Sequence, residues 1–194
     1  MSVLCYTRGG DIAYTIPEDQ ITKTKLIYPV TLCEAKRHLR LENDFRDDDD
    51  YITDLIKAAT TLAENYINKD IAKTSNVLRI NDFYSDSIKI YEGNFLSLTS
   101  VVDENDASIG TLYQTNKHFD YFSIEWTGYI KSNPLTITFN TGYEEDECPE
   151  LIKSAIMIKI SDLYDNNRSS WIYSGMMDSK TFESILNYYA AMRF

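Results

Sequence analysis

Glycine and proline are scarce in this chain, seven and four residues among 194. That scarcity excludes collagen-like, linker-like and low-complexity organisation. Cys5, Cys33 and Cys148 are odd in number, far apart and form no CxxC pair. Neither a disulfide framework nor a zinc site is expected from them, and they read as plain thiols, two of them partly buried. No run approaches the roughly 18 apolar residues of a membrane span. Residues 1–10 lack the apolar segment of a signal peptide, so the expected compartment is the cytoplasm in which the chain is made. Positive charge is also in short supply: 19 Lys and Arg against 30 Asp and Glu give a net charge of −11. Such a molecule repels polyanions and acidic membranes, which argues against tight nucleic-acid binding.

Catalytic spacing is missing as well. GxSxG, GxxxxGK(S/T) and GxGxxG are absent, and Gly9-Gly10 is too isolated to cradle a phosphate. His38 falls among basic residues and His118 among aromatics, neither with a local nucleophile. The run Asp47-Asp48-Asp49-Asp50 lacks the ligand spacing and central glycine of an EF-hand loop and reads as a helix cap. A small metal-dependent nuclease built on the acidic clusters is the enzymatic alternative. The preferred expectation is a non-enzyme with no catalytic residue, no metal and no cofactor.

What is present is ordered. Hydrophobic residues make up 43% of the chain, enough for one compact domain or a domain with a sizeable insertion. Residues 1–28 show no sustained period and read as an extended arm, either a frayed terminus or a strand lent to a neighbouring subunit. Thr31-Leu32-Cys33-Glu34 is a capping box that predicts a short helix over about 32–40. Its buried side would hold Leu32, Ala35 and Leu39, leaving Lys36, Arg37 and Arg40 in solvent. The four aspartates precede a 3.6-residue pattern of Tyr51, Ile52, Leu55, Ile56, Ala59, Leu62, Ala63, Tyr66 and Ile67, a second helix over about 49–68.

From Ala72 to Thr141 the period becomes two, with Val77, Ile80, Ile88, Ile90, Leu96, Leu98, Val101, Leu112, Tyr121, Ile124, Trp126, Tyr129, Leu135, Ile137 and Phe139 in short β-prone runs. Turn groups at Asp103–Asp106 and Lys131–Pro134 interrupt them. Pro149 opens a third helix through Ile152, Ala155, Ile156, Ile160 and Leu163. Asp178 is placed to cap a fourth, running through Phe182, Ile185, Leu186, Tyr189 and Met192. The expected class is α+β: a bundle of about four helices (29–71 and 142–194) with an antiparallel β insertion (72–141) between helices 2 and 3.

Taken in order, these segments resemble the gp6-like head-tail connector (adaptor) family of tailed phages, also described as putative DNA-packaging proteins. Tyr28-Pro29-Val30-Thr31-Leu32 with Glu34-Ala35-Lys36 and His38-Leu39-Arg40 resembles the family's opening helix. Asp47–Asp50 followed by Tyr51-Ile52, Leu55-Ile56, Ala58-Ala59, Ala63-Glu64 and Tyr66-Ile67 resembles its acidic linker and long helix. Leu98-Thr99-Ser100-Val101-Val102 is similar to a strand before a hairpin, and Phe139-Asn140-Thr141-Gly142-Tyr143 with Cys148-Pro149 to a strand-to-helix junction. The likeness spans about 28–165; residues 1–27 and 169–177 match nothing in the pattern.

The resemblance implies a structural virion protein at the portal-tail junction, made in the host cytoplasm. Subunits would form a homo-oligomeric ring, commonly of twelve, beneath the portal protein, offering a platform to a stopper or tail protein. Double-stranded DNA would pass through without specific binding, and no membrane is involved. A stopper or tail-completion protein of the same neck is the runner-up. By resemblance, the C-terminal Leu186, Tyr189, Met192 and Phe194 are candidates for portal docking. The apolar stretch Trp171, Ile172, Tyr173 and Met176, which shows no core period, is a candidate interface loop. Asp47, Asp48, Asp49, Glu144 and Glu145 are candidates to face the channel, with solvated loops and helix caps as the plainer reading.

Overall fold

The structure, a computed structural model, describes residues 5–6, 12–13, 21–80, 87–105, 107–110, 112–118, 121–128, 134–144, 146–168 and 180–190. Two compact units emerge: Met1–Leu26 with Thr74–Gly142, and Ile27–Lys73 with Tyr143–Phe194. The first is built from strands and the second from helices, so the class is α+β with the β insertion between the second and third helices.

The helical unit contains α1 (Leu32–His38), α2 (Asp49–Ile67), α3 (Glu150–Arg168) and α4 (Lys180–Ala190). The capping box forms as the sequence implies: Thr31 Oγ1 accepts the Glu34 backbone N–H at 3.2 Å, and Glu34 Oε2 accepts that of Thr31 at 2.8 Å. The helix ends earlier than expected, with Leu39 as C-cap and Arg40 at φ 60°. The Arg40 N–H donates to Arg37 O at 3.2 Å and the Leu41 N–H to Lys36 O at 3.0 Å. These two bonds are the Schellman closure, which satisfies the last carbonyls and requires a left-handed residue at the position Arg40 holds.

Along α2 the buried residues are Ile52, Leu55, Ile56, Ala59, Thr60, Ala63, Glu64 and Ile67. Three members of the expected stripe differ: Leu62 is exposed, and Tyr51 and Tyr66 are only half-buried. The reason is that α2 packs on α1, α3 and α4 at once, which turns its inner face toward the 52-56-60-64 row. Thr60 is accommodated by donating its hydroxyl to Ile56 O at 2.7 Å. Glu64 accepts the backbone N–H groups of Ile71 and Ala72 at 3.1 and 3.0 Å, fixing the chain as it leaves the helix. Lys36, expected in solvent, is also buried, at 4% exposure.

The β unit holds β1 (Cys5–Tyr6), β2 (Ile12–Ala13), β3 (Ile21–Ile27), β4 (Lys73–Ile80), β5 (Ser87–Ile90), β6 (Phe95–Val102), β7 (Tyr113–Lys117), β8 (Phe122–Trp126) and β9 (Leu135–Thr141). A four-stranded sheet has the order β3-β4-β9-β6 and a three-stranded sheet β5-β8-β7, while β1 and β2 pair with each other. Most of the arm's last stretch therefore lies in the chain's own sheet as β3, neither frayed nor lent out. The two larger sheets share a core of Leu78, Ile80, Ile88, Ile90, Val101, Phe122, Ile124, Leu135, Ile137 and Phe139. Across that core Phe122 stacks on Phe95 at 4.2 Å and meets Phe139 edge-on at 5.1 Å. Each such side chain contributes about 1.5–3 kcal/mol by leaving water.

Register sets the faces. Leu78 pairs with Ile137 and Ile80 with Leu135, which sends the alternating Val77 and Arg79 outward, Val77 to 37% exposure. β6 slips twice against β9, between Phe95 and Ser97 and between Leu98 and Ser100. Such bulges bend an edge strand away from unwanted pairing. At the turn, Asp103 Oδ1 accepts the N–H groups of Asn105 and Ala107, both at 2.9 Å. Tyr129 and the turn at 131–133 lie outside the described residues.

Candidate assembly surfaces

The acidic linker is tied into the helical scaffold. Lys36 reaches out of α1 to donate to Phe45 O and to ion-pair with Asp49. Asp48 occupies the N-cap of α2, but its side chain makes no cap hydrogen bond. Its Oδ2 instead accepts the Tyr164 hydroxyl from α3 at 2.8 Å. Of the candidate channel acids in this run, Asp48 and Asp49 are thus half-buried members of the scaffold, while Asp47 is exposed. Glu144 accepts twice from Lys73 Nζ, at 2.7 and 2.8 Å, closing the exit of the long connection onto the end of α2's following segment. Glu145 lies outside the described residues.

The C-terminal helix is a core element. Phe182 and Leu186 are buried in the bundle, Tyr66 meets Phe182 edge-on at 6.3 Å, and the Tyr66 hydroxyl donates to Asn187 Oδ1 at 2.7 Å. Leu186, at 0% exposure, holds α4 in place and has no surface to offer a partner. Tyr189 is half-buried, whereas its neighbour Tyr188 is 65% exposed. Met192 and Phe194, and the candidate loop residues Trp171, Ile172, Tyr173 and Met176, lie outside the described residues.

Around Tyr189 the chemistry is inert. Burial pushes the Tyr189 phenol up, aided by Tyr188 and Cys148, and burial does the same for Tyr143. The Cys148 thiol is pushed up to about 12, first by burial, with Lys153 pulling the other way and Glu150 adding to the rise. A thiol in that state stays protonated and unreactive. Among the described residues no group of three or more His, Cys, Asp or Glu side chains is arranged to hold a metal ion. No helix among them is long and apolar enough to cross a membrane.

Sequence reasoning missed several exposed apolar groups. In the helical unit these are Leu62, Leu151 and Tyr188; in the β unit, Leu26, Val77, Tyr91 and Leu112. Leu62, Val77 and Leu112 share the period of core residues, so only the packing could separate them. The β unit also gathers Tyr91, Tyr121 and His118, with Tyr121 lying 5.3 Å from Tyr91 and stacked 4.3 Å from His118. Lys89 sits 5.6 Å over the Tyr121 ring, and His118 Nε2 lies 3.4 Å from Ser123 Oγ.

Solved structures share this fold. A chain of the neck of an empty gene transfer agent particle, computed with C6 symmetry, aligns at TM-score 0.72 and 14% identity, covering 90% of this chain and 96% of that one. A chain from the virion of the native particle gives 0.70 and 14% with the same coverage. One from the native neck computed with C12 symmetry gives 0.69 and 13%, again with the same coverage. At such identity the likeness establishes the fold. No curated protein matches the chain in sequence. The family comparison reaches further into the sequence: residues 29–96, running from the approach to α1 through the start of β6, match the phage gp6-like head-tail connector protein family, the one that the capping box, acidic linker and long helix resemble.

Proposed function

We propose that this chain is a structural, non-enzymatic head-tail connector subunit that forms a ring, of twelve copies, beneath the portal of a tailed-phage-like particle. The observation that carries the reading is the family match over 29–96, which covers α1, the acidic linker and α2. The neck chains of similar fold, treated with C6 and C12 symmetry, support a cyclic arrangement. A strongly acidic subunit also suits a ring that duplex DNA must traverse without sticking. In this reading the ring joins the portal on one side and a stopper or tail protein on the other.

Portal docking belongs to the outer face of α4 and the residues after it, with Tyr188, Tyr189, Met192 and Phe194 as contacts and Leu186 as their internal support. Particle imaging with this subunit labelled tests the connector reading: density at the portal-tail junction is expected, and density anywhere else in the particle would reject it. Docking is tested by removing 191–194 and replacing Tyr188 with Ser, which should leave the fold intact and stop incorporation. Deleting the whole of α4 is not a usable test, because Phe182 and Leu186 belong to the core.

A further inference from the structure

We propose that the C-terminal end of α1 is one half of a head-to-tail interface between copies of this chain, its arginines receiving carboxylates that a second copy presents at the start of α3. The proposal rests on the ring reading and names a contact within it.

Cations are scarce in this protein, and many of those in the described residues are spoken for. Lys23 pairs with Glu92, Lys36 with Asp49, Lys57 with Asp54, Lys73 with Glu144, and Lys153 lies 3.9 Å from Glu34. Arg37, His38, Arg40 and Arg46 stand apart from this pattern. All four are exposed, they follow one another from the last turn of α1 into the linker, and none makes an ion pair among the described residues. Arg37 approaches Cys33 Sγ with Nη2 at 4.0 Å and acts on the Glu34 carboxylate at longer range, without a direct ion pair. Exposed cations with no direct ion pair are an attraction for a carboxylate presented at close range.

The backbone adds a separate observation. Arg40 occupies the left-handed position of the Schellman closure at φ 60°, where glycine carries no steric penalty and arginine does. The fold thus tolerates strain to hold a charged, outward side chain there.

The complementary patch lies in the same unit. Asp146, Glu147 and Glu150 are exposed at the start of α3, and Glu144 beside them is already engaged by Lys73. The Lys153–Glu34 approach puts the first turn of α3 beside the first turn of α1. The acidic patch therefore neighbours one end of α1 and the basic patch occupies the other. Copies aligned end to end would bring unlike patches together, a heterologous contact that makes a ring when its rotation closes. Glu42, Asp44, Asp47 and Asp50 are the exposed acids beside these arginines in sequence, yet none forms an ion pair with them among the described residues. The net charge repels a second copy and duplex DNA alike, and what favours the copy is that it carries its own exposed carboxylates at Asp146, Glu147 and Glu150 to meet these arginines.

The test uses the full chain in sedimentation velocity at about 50 mM and about 500 mM NaCl, where the Debye length shrinks severalfold. Self-association is expected at low salt and should weaken about tenfold or more at high salt. Arg37→Glu with Arg40→Glu and Arg46→Glu should abolish it, as should Glu147→Lys with Glu150→Lys, and mixing the two variants should restore it. Should the triple reversal unfold, Arg40→Gln with Arg46→Gln gives the same reading. Arg40→Gly should melt at or above the wild-type temperature while associating more weakly, a split that a purely structural role would not produce. A wild-type chain that stays monomeric in both salts overturns the proposal. Association that ignores the reversals, or a mixture that fails to associate, does the same. So does a reversal whose only effect is on binding of a duplex DNA probe. None of these outcomes touches the particle imaging that decides the connector reading.

Discussion

The two units solve the problem of buried polarity differently. Every buried charged side chain among the described residues, Lys36, Glu64, Asp70 and Lys153, lies in the helical unit. The buried polar groups of the β unit are uncharged: Thr74, Asn76, Ser123 and Thr141. The difference follows from connectivity. Helices leave orphan backbone groups at their ends and are joined here by irregular segments, and a charged side chain can tie such a segment down with two hydrogen bonds at once. Strands satisfy their backbones by pairing, so the β core needs only short neutral bonds such as Asn76 Nδ2 to Thr141 Oγ1 at 2.7 Å.

The largest way to break the comparison is to put a charge where the helical unit has none. Leu55→Asp places an unpaired carboxylate on the inner face of α2 and should cost about 3 kcal/mol or more, read as a lowered Tm. An unchanged melt would show that the helical unit admits charge anywhere and that its buried charges are unremarkable. Next, Glu64→Ala removes the acceptor of two buried N–H groups and should cost about 2–4 kcal/mol in denaturant unfolding. Asn76→Ala, the β unit's counterpart, should cost about 1–2 kcal/mol, because it loses a neutral bond. Equal costs would remove the distinction between the two units.

The smallest effect concerns pH. Burial by itself pushes the Glu34 carboxyl up, but the Thr31 N–H, the Thr31 hydroxyl, Lys153 and Arg37 together hold it below the ordinary 4.5. A lowered folded-state value means that the stabilisation is complete above about 4.5 and is lost as pH falls through the lower folded value. Glu34→Gln should therefore leave a shallower loss of stability below that pH than the wild type shows, measured by thermal melts across the acid range.

Legibility in the sequence also divided along these lines. The capping box at Thr31–Glu34, the start of α2 after the aspartates and the switch to period two after Ala72 were all readable, because each is a local rule acting over a few residues. The fate of Lys36 was not, since its burial depends on Phe45 and Asp49 closing over it. Leu62 and Leu186 show the same limit from opposite sides. Both fit a helical stripe, yet one is exposed and the other wholly enclosed, and a candidate docking residue became a core residue.

By itself, then, the sequence determined the element order, the α+β class, the acidic surface and the resemblance that the match over 29–96 supports. These depend on charge count and on periodicities of two and 3.6 residues, which need no partner to be expressed. Only the tertiary structure decided that β3 joins the chain's own sheet, that Asp48 and Asp49 brace the scaffold, and that Arg37, Arg40 and Arg46 form no direct ion pair among the described residues. Each of those outcomes is set by which distant residues arrive within hydrogen-bonding or Coulomb range, and spacing along the chain carries no record of that.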